Sequence, residues 1–454
     1  MINLIKNELF KIFKKKGIYI ILILLFLFLF LTNYVTNQSG KDYYNEYINN
    51  LKEEIKNYNI DNLTDDEGEL TWYIGTLTQI ETYELASNYD KKSWQYAVIM
   101  SDGYNNYRFL INENIYRYKN KEEEEILNKN YEDFKELLKG DWREYANKEL
   151  ETLKDNGSLN EIKMVELRLK YDIAYGQSKL NDALSTYVYT SEDNYNKKST
   201  FEEKVNMQDS KKNYYISKYM VENHFDEPDN DTTWGELISL SSNTKLFIIV
   251  AVILIASSIM SEEFNKGTIK LLLVRPYNRT KIILSKFITV ILMTVFVIIS
   301  SYIMELIIGC LFFDFDSLSS NVLVYNYNTN NVYEISLFKN ILIETLCNFP
   351  IYILLGTLAF CLSIIINNTG VCMAITLAGY IGSQIVNNLV IYFNVTNFKY
   401  FVTLNWDLNQ FLYGRLYAFE GMTLMSALII SIIYFLVMLL PTLLYFNKKN
   451  IKNI

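Results

Sequence analysis

Histidine is almost missing from this 454-residue chain: His224 stands alone, in an acidic stretch ahead of a long apolar run. With no Cys/His cluster, no transition-metal site is expected, and no nucleophile–base arrangement can be drawn. The four cysteines, Cys310, Cys347, Cys361 and Cys372, all fall in apolar stretches. A thiol there behaves as a small apolar side chain, so no disulfide framework is expected in the polar part. No G-x-x-x-x-G-K-[ST] sequence or other glycine-rich phosphate cradle occurs. The chain is therefore not expected to be an ATPase, or an enzyme with a cofactor of its own. Proline is absent before Pro228 and glycine is sparse, which removes the punctuation of strand-and-turn folds. No single exposed stripe of cations is present, so nucleic acid is not an expected partner.

Apolar runs are what the chain has in abundance. Residues 18–36, 244–260, 283–312, 339–366, 371–393 and 422–446 are each long enough to cross about 30 Å of hydrocarbon at about 1.5 Å per residue. The expected fold class is an all-α membrane protein with six transmembrane helices. Residues 1–17 precede the first span. Within them Ile2, Ile5, Leu9 and Ile12 recur at helical spacing among Lys6, Lys11, Lys14, Lys15 and Lys16, the pattern of a basic amphipathic helix lying in a headgroup layer. A cleaved signal peptide has the same order, but the sequence after the run, TNYVTNQSGK, lacks a small-x-small cleavage site.

Charge divides the chain. Residues 37–243 carry a net of −16 and the remainder a net of +8, which predicts a solvated domain attached to a membrane body. In that domain Leu127, Tyr131, Phe134, Leu138, Trp142 and Tyr145 step by threes and fours, as do Ile162, Val165, Leu169 and Ile173. Amphipathic helices with an aromatic core are expected, with a carbohydrate- or peptide-binding tyrosine surface as the alternative. The run Glu122–Glu125 suits the first turn of a helix and lacks the alternation of a calcium loop.

Fourteen cations, among them Lys266, Lys270, Arg275, Arg279, Lys281, Lys286, Lys448 and Lys449, fall on one side of a six-span topology. That side holds only Glu8, Glu262 and Glu263 against them. Asp314, Asp316, Glu334, Asp407 and Glu420 fall on the other side. By the positive-inside rule both termini, the 261–282 loop and the 447–454 tail are cytoplasmic. Residues 37–243 and the loop 313–338 are then extracellular, and the location is the plasma membrane. Pro350 is expected to kink its span. Residues 394–421 are semi-polar, with Trp406, Tyr413 and Tyr417 suited to an outer interface.

Residues 261–286 read SEEFNKGTIKLLLVRPYNRTKIILSK. The ordered set Glu263, Gly267, Thr268, Leu271–Leu273, Pro276, Arg279 and Lys286 resembles the first intracellular loop of ABC type-2 exporter permeases. The amphipathic start, the six spans and the aromatic-Lys-Lys ending resemble that family too, although Asn450 stands where an Asp is common. An ordinary basic loop between spans is the alternative. The resemblance implies that Glu262, Glu263, Gly267, Thr268, Leu271, Arg275, Pro276, Arg279 and Lys286 form a coupling helix docking on a separate cytoplasmic ABC ATPase. It also implies an elbow helix at residues 1–17 and a short re-entrant segment within 394–421. The chain would then be the permease subunit of a bacterial exporter, pairing with a second permease chain, as homo- or heterodimer, and two ATPase copies that bind the ATP. Antimicrobial peptides or drugs are among the cargoes implied, and an acidic outer domain favours cationic ones. Glu305 and Glu344 fall within apolar runs, where an acid is a functional candidate. They are expected either to line the export path or to reach outer headgroups. The competing class is a non-transporting scaffold or receptor for phage adsorption or secretion assembly.

Overall fold

The computed structural model describes residues 1–39, 44–56, 58, 68–190, 200–228, 232–270, 277–313 and 315–449. Its contacts form two compact units, one of residues 1–38, 197–209 and 228–454, the other of residues 39–196 and 210–227.

In the first unit α1 (Ile2–Phe13) is followed by α2 (Lys16–Ser39). After the second unit come α12 (Thr233–Asn243), α13 (Lys245–Asn265), α14 (Arg279–Phe312), α15 (Leu337–Ile365), α16 (Thr369–Tyr392) and α17 (Leu424–Lys448). Among the described residues, helices α2 and α13 to α17 are the six long and apolar enough to cross a membrane. The chain is thus an all-α membrane protein. Helices α13, α14 and α15 form the interior, and α2, α16 and α17 leave most of their apolar surface outward. Ile249, Val252, Ala256, Met293, Ala359 and Phe360 fill the shared core. Gly356 sets the approach of α15 to α13, because a Cβ there would stand 3.0 Å from Val252 Cγ1. Pro350 does not end α15, and Pro441 sits inside α17. Packed neighbours and small local adjustments accommodate such prolines in apolar helices.

Three features depart from the sequence expectations. Helix α12 belongs with the spans instead of the acidic domain: Trp234, Leu237 and Leu240 pack with Leu25, Leu29, Ile308 and Leu337. Residues 313–338 hold a hairpin of β1 (Asn321–Asn326) and β2 (Asn331–Ser336), with Val324 opposite Tyr333. Asn326 Oδ1 accepts from the Asn328 and Thr329 amides and so shapes its turn. Residues 396–414 form short turns, Thr396–Tyr400, Val402–Asn405 and Leu408–Gly414, packed through Leu404, Leu408 and Phe411 onto Val390 and Ala427.

The second unit comprises α3 (Tyr44–Ile55), α4 (Glu69–Ala86), α5 (Trp94–Met100), α6 (Asp102–Glu113), α7 (Lys121–Leu137), α8 (Trp142–Asn156), α9 (Leu159–Lys170), α10 (Ser178–Tyr189) and the latter part of α11 (Phe201–Asn223). Caps start its helices where the sequence offers them: Asn120 for α7, Asp141 for α8, and a Ser158–Glu161 capping box for α9. Phe134 and Leu138 are buried with Tyr131 and Tyr145 packed against them. Beside them the Arg168 guanidinium lies 3.8 Å from the Tyr175 ring centre, and the Tyr175 hydroxyl donates to Glu149. Burial raises the Glu149 carboxyl, against the opposing pull of Tyr175 and Arg168. An acid raised by folding binds its proton more tightly in the folded state. Its contribution therefore favours folding as pH falls toward its folded value and is lost as pH rises through it. Glu149→Gln should remove this term, so the difference in thermal midpoint between the variant and the native chain is expected to narrow as the pH is lowered from 7 toward 4.5.

Candidate functional site

The loop between α13 and α14 leaves one end of the bundle, and there α1 lies across the helix ends. Leu4, Glu8 and Ile12, spaced by four, are its buried face. A carboxylate on a buried stripe needs a cation, and Glu8 finds two. Lys286 Nζ on α14 is 2.7 Å from Glu8 Oε2, and Lys11 Nζ is 3.2 Å from Glu8 Oε1. The same ammonium groups reach Glu263 near the end of α13, Lys11 at 2.7 Å and Lys286 at 3.4 Å. Lys286 is 0% exposed and also meets the Ile259 carbonyl at 3.4 Å. The Thr268 hydroxyl donates to Glu263 Oε2. Glu262 accepts from Lys15 at 2.7 Å and from Lys266 at 3.1 Å. Three carboxylates thus meet four ammonium groups, and α1, α13 and α14 are joined through them. Half-burial lowers the Lys11 ammonium, but the carboxylates of Glu263 and Glu8 outweigh it, and its pKa lies above the usual 10.5. A cavity of about 340 Å³ opens beside the cluster, lined by Lys11, Lys14, Lys15, Glu262, Lys266 and Thr268 among others.

This geometry alters the picture drawn from the sequence. Glu263 was expected to face a partner, yet its carboxylate is buried and engaged within the chain. Helix α13 runs on to Asn265 because both acids find lysines close by. Lys266, at the outer edge of the cluster, is exposed, as are Gly267 and Lys270 beyond it. Gly267 has φ +66° with nothing among the described residues within 4 Å of an added Cβ, so its backbone conformation calls for glycine. Gly267→Ala is expected to cost about 1 kcal/mol, with Gly267→Asn costing less. Thermal unfolding in detergent compares them. Arg279 opens α14 and donates to carbonyls at the end of α17, Phe446 at 3.4 Å and Asn447 at 3.3 Å, and to that of Lys449 just beyond it at 2.9 Å. Lys449 in turn donates to the Ile364 carbonyl at 2.7 Å, closing the end of α15. Leu271, Arg275 and Pro276, with the rest of the leucine run, lie outside the described residues.

Glu8 and Lys449 show in the sequence only as charges and not as partners of Lys286 and the α15 end. A single acid in an otherwise basic amphipathic helix was the available signal for Glu8. The two intramembrane acids do not share a site. Glu305 is sealed among protein, 1% exposed, with Asn33 Nδ2 donating to it at 2.9 Å. Glu344 is half-buried and accepts from Ser241 at 2.9 Å and Asn340 at 3.0 Å.

The sequence model described as "Protein of unknown function (DUF2705)" matches residues 203–452. Two relatives come from Bacillus subtilis (strain 168). The "Uncharacterized protein YhcI" is 27% identical over 239 residues, 52% of this chain and 75% of its own length. The "Uncharacterized membrane protein YdbK" is 27% identical over 207 residues, 44% of this chain and 77% of its own. No solved structure matches.

Proposed function

The chain belongs to the DUF2705 family, and we propose that it is the permease subunit of an ABC-type exporter, with its coupling element in the loop between α13 and α14. The observation that carries this is the ion cluster joining α1, α13 and α14 at the base of that loop. A buried, mutually satisfied network fixes three helix ends relative to one another, so force on the exposed Lys266–Lys270 turn passes into two spans and the amphipathic helix. In this proposal Glu262 and Glu263 anchor the loop from within. The contact with the ATPase falls to the exposed side, where Lys266, Lys270 and Lys281 stand.

The charge distribution supports an orientation with α1 in the inner headgroup layer as an elbow helix, both termini cytoplasmic and the acidic domain outside. The turns between α16 and α17 would form the re-entrant segment. Six spans enclose little space, so a path along the axis of a permease pair is the natural arrangement. ATP is bound by two copies of the partner, and its closure would switch the path from inner to outer access. Cationic antimicrobial peptides or drugs are the cargo that the acidic outer charge supports.

A photo-crosslinking residue in place of Lys270, irradiated in native membranes, tests the proposal. Capture of a nucleotide-binding subunit at position 270, and none from the opposite side at position 333, is the expected result. Equal capture at both positions, or none at either, would count against it and favour a scaffold or receptor.

A further inference from the structure

Helices α2, α12 and α14 converge on Gly309. A Cβ added there would stand 3.1 Å from Thr233 Cγ2 and 3.7 Å from both Asn33 Oδ1 and Thr233 Oγ1. Glu305 lies one turn earlier on α14. Asn33 Nδ2 donates to Glu305 Oε1 and to the Leu29 carbonyl, each at 2.9 Å. Glu305 and Asn33 are both fully buried. Among the described residues, their remaining oxygens, Glu305 Oε2 and Asn33 Oδ1, have no hydrogen-bond partner.

No cation answers this carboxyl among the described residues. Glu236 on α12, itself buried, adds a second negative charge to its surroundings. Lys16, the charged residue of α2, is 17 positions from Asn33, about 25 Å along the helix. Arg279, Lys281 and Lys286 lie at the far end of α14, and Lys286 is committed to Glu8. On α15, Glu344 is held by Ser241 and Asn340, and Lys339 is exposed. An ionised carboxylate with one neutral donor and a like charge nearby is the costliest state such a group can take.

Both orphaned atoms are acceptors, and one proton satisfies both. A proton on Glu305 Oε2, donated to Asn33 Oδ1, would complete with the existing Asn33 Nδ2 bond a two-bond carboxylic acid–carboxamide pair. We propose that Glu305 binds a proton at this junction, and that the neutral acid–amide pair is a lock between α14 and α2. The step is an acid–base equilibrium: the carboxylate takes a proton from water to give the acid, and no electrons move. The proton stays while the helices are joined and is released when they part and water reaches the carboxyl. The proposal is independent of any ATPase partner.

Infrared spectroscopy of the full chain in lipid at pH 7 tests it through the carbonyl stretch of a protonated carboxylic acid. That band should be present in the native chain, be lost in Glu305→Gln, and move to higher frequency in Asn33→Leu, where the acid loses its amide. Glu305→Gln should keep its stability, since glutamine can make the same two bonds to Asn33. If Glu305→Gln fails to fold, the Asn33→Leu shift decides alone. A band unchanged in both variants would overturn the assignment. A carboxylate signal that responds to replacing sodium by choline would also overturn it, giving the oxygens to a metal cation.

Discussion

Lys286→Met is expected to free α1 from the bundle and to cost about 3–5 kcal/mol, because it leaves two buried carboxylates facing one remaining ammonium. Glu8 and Glu263 each lose their contact with a fully buried cation. Lys11 still bridges them, but it is half-exposed, and its attraction is weakened by solvent. A paired change, Glu8→Leu with Lys286→Met, removes a carboxylate together with the cation and should restore most of the loss. Replacing a buried ion pair by apolar groups of similar size is often neutral. Two readouts separate the cases: the thermal midpoint in detergent, and labelling of a cysteine placed at Ile12, which the native packing buries. A single variant with native stability and an unlabelled position 12 would mean that the cluster does not hold α1.

Gly356→Leu should have an effect of similar size by a different cause. Lipid tails are as apolar as the helix surfaces, so close backbone approach supplies much of the association between spans. A Cβ at residue 356 already comes within 3.0 Å of Val252 Cγ1 and 3.6 Å of Val290 Cγ1, and the rest of a leucine has nowhere to go without moving α13 or α14. Gly356→Ala is expected to cost about 1 kcal/mol, and Gly356→Leu about 3 kcal/mol or more, since overpacking forces backbone shifts. Size-exclusion profiles after graded heating give the order directly. A leucine variant as stable as the native chain would place the α13–α15 contact elsewhere.

Length and apolar composition made the six long helices legible, since hydrocarbon thickness sets how long an apolar run must be. Their ends were less so. Charges at Glu262 and Glu263 suggested a loop, whereas α13 continues through both because Lys11, Lys15 and Lys286 arrive from distant parts of the chain. No local pattern encodes those meetings. For the same reason the acidic residues around α12 mask its place with the spans, although Trp234, Leu237 and Leu240 form a spaced apolar face. The hairpin at 321–336 leaves little trace in the sequence, because each strand is only six residues long. Lys286 was recognised by position, and its partner Glu8 was not, since a buried ion pair shows in sequence only as two unremarkable residues.

The proposed coupling has an ATPase acting through the 261–286 region. Its most direct test is affinity purification of the native chain and a Lys270→Glu/Lys281→Glu variant from membranes in mild detergent, followed by mass spectrometry and an ATP hydrolysis assay. These two lysines are exposed and outside the ion cluster, so the bundle should survive the change. The expected result is a Walker-type subunit and ATP turnover with the native chain, both reduced at least tenfold in the variant. A native preparation that folds well yet carries no such subunit and hydrolyses no ATP would contradict the account.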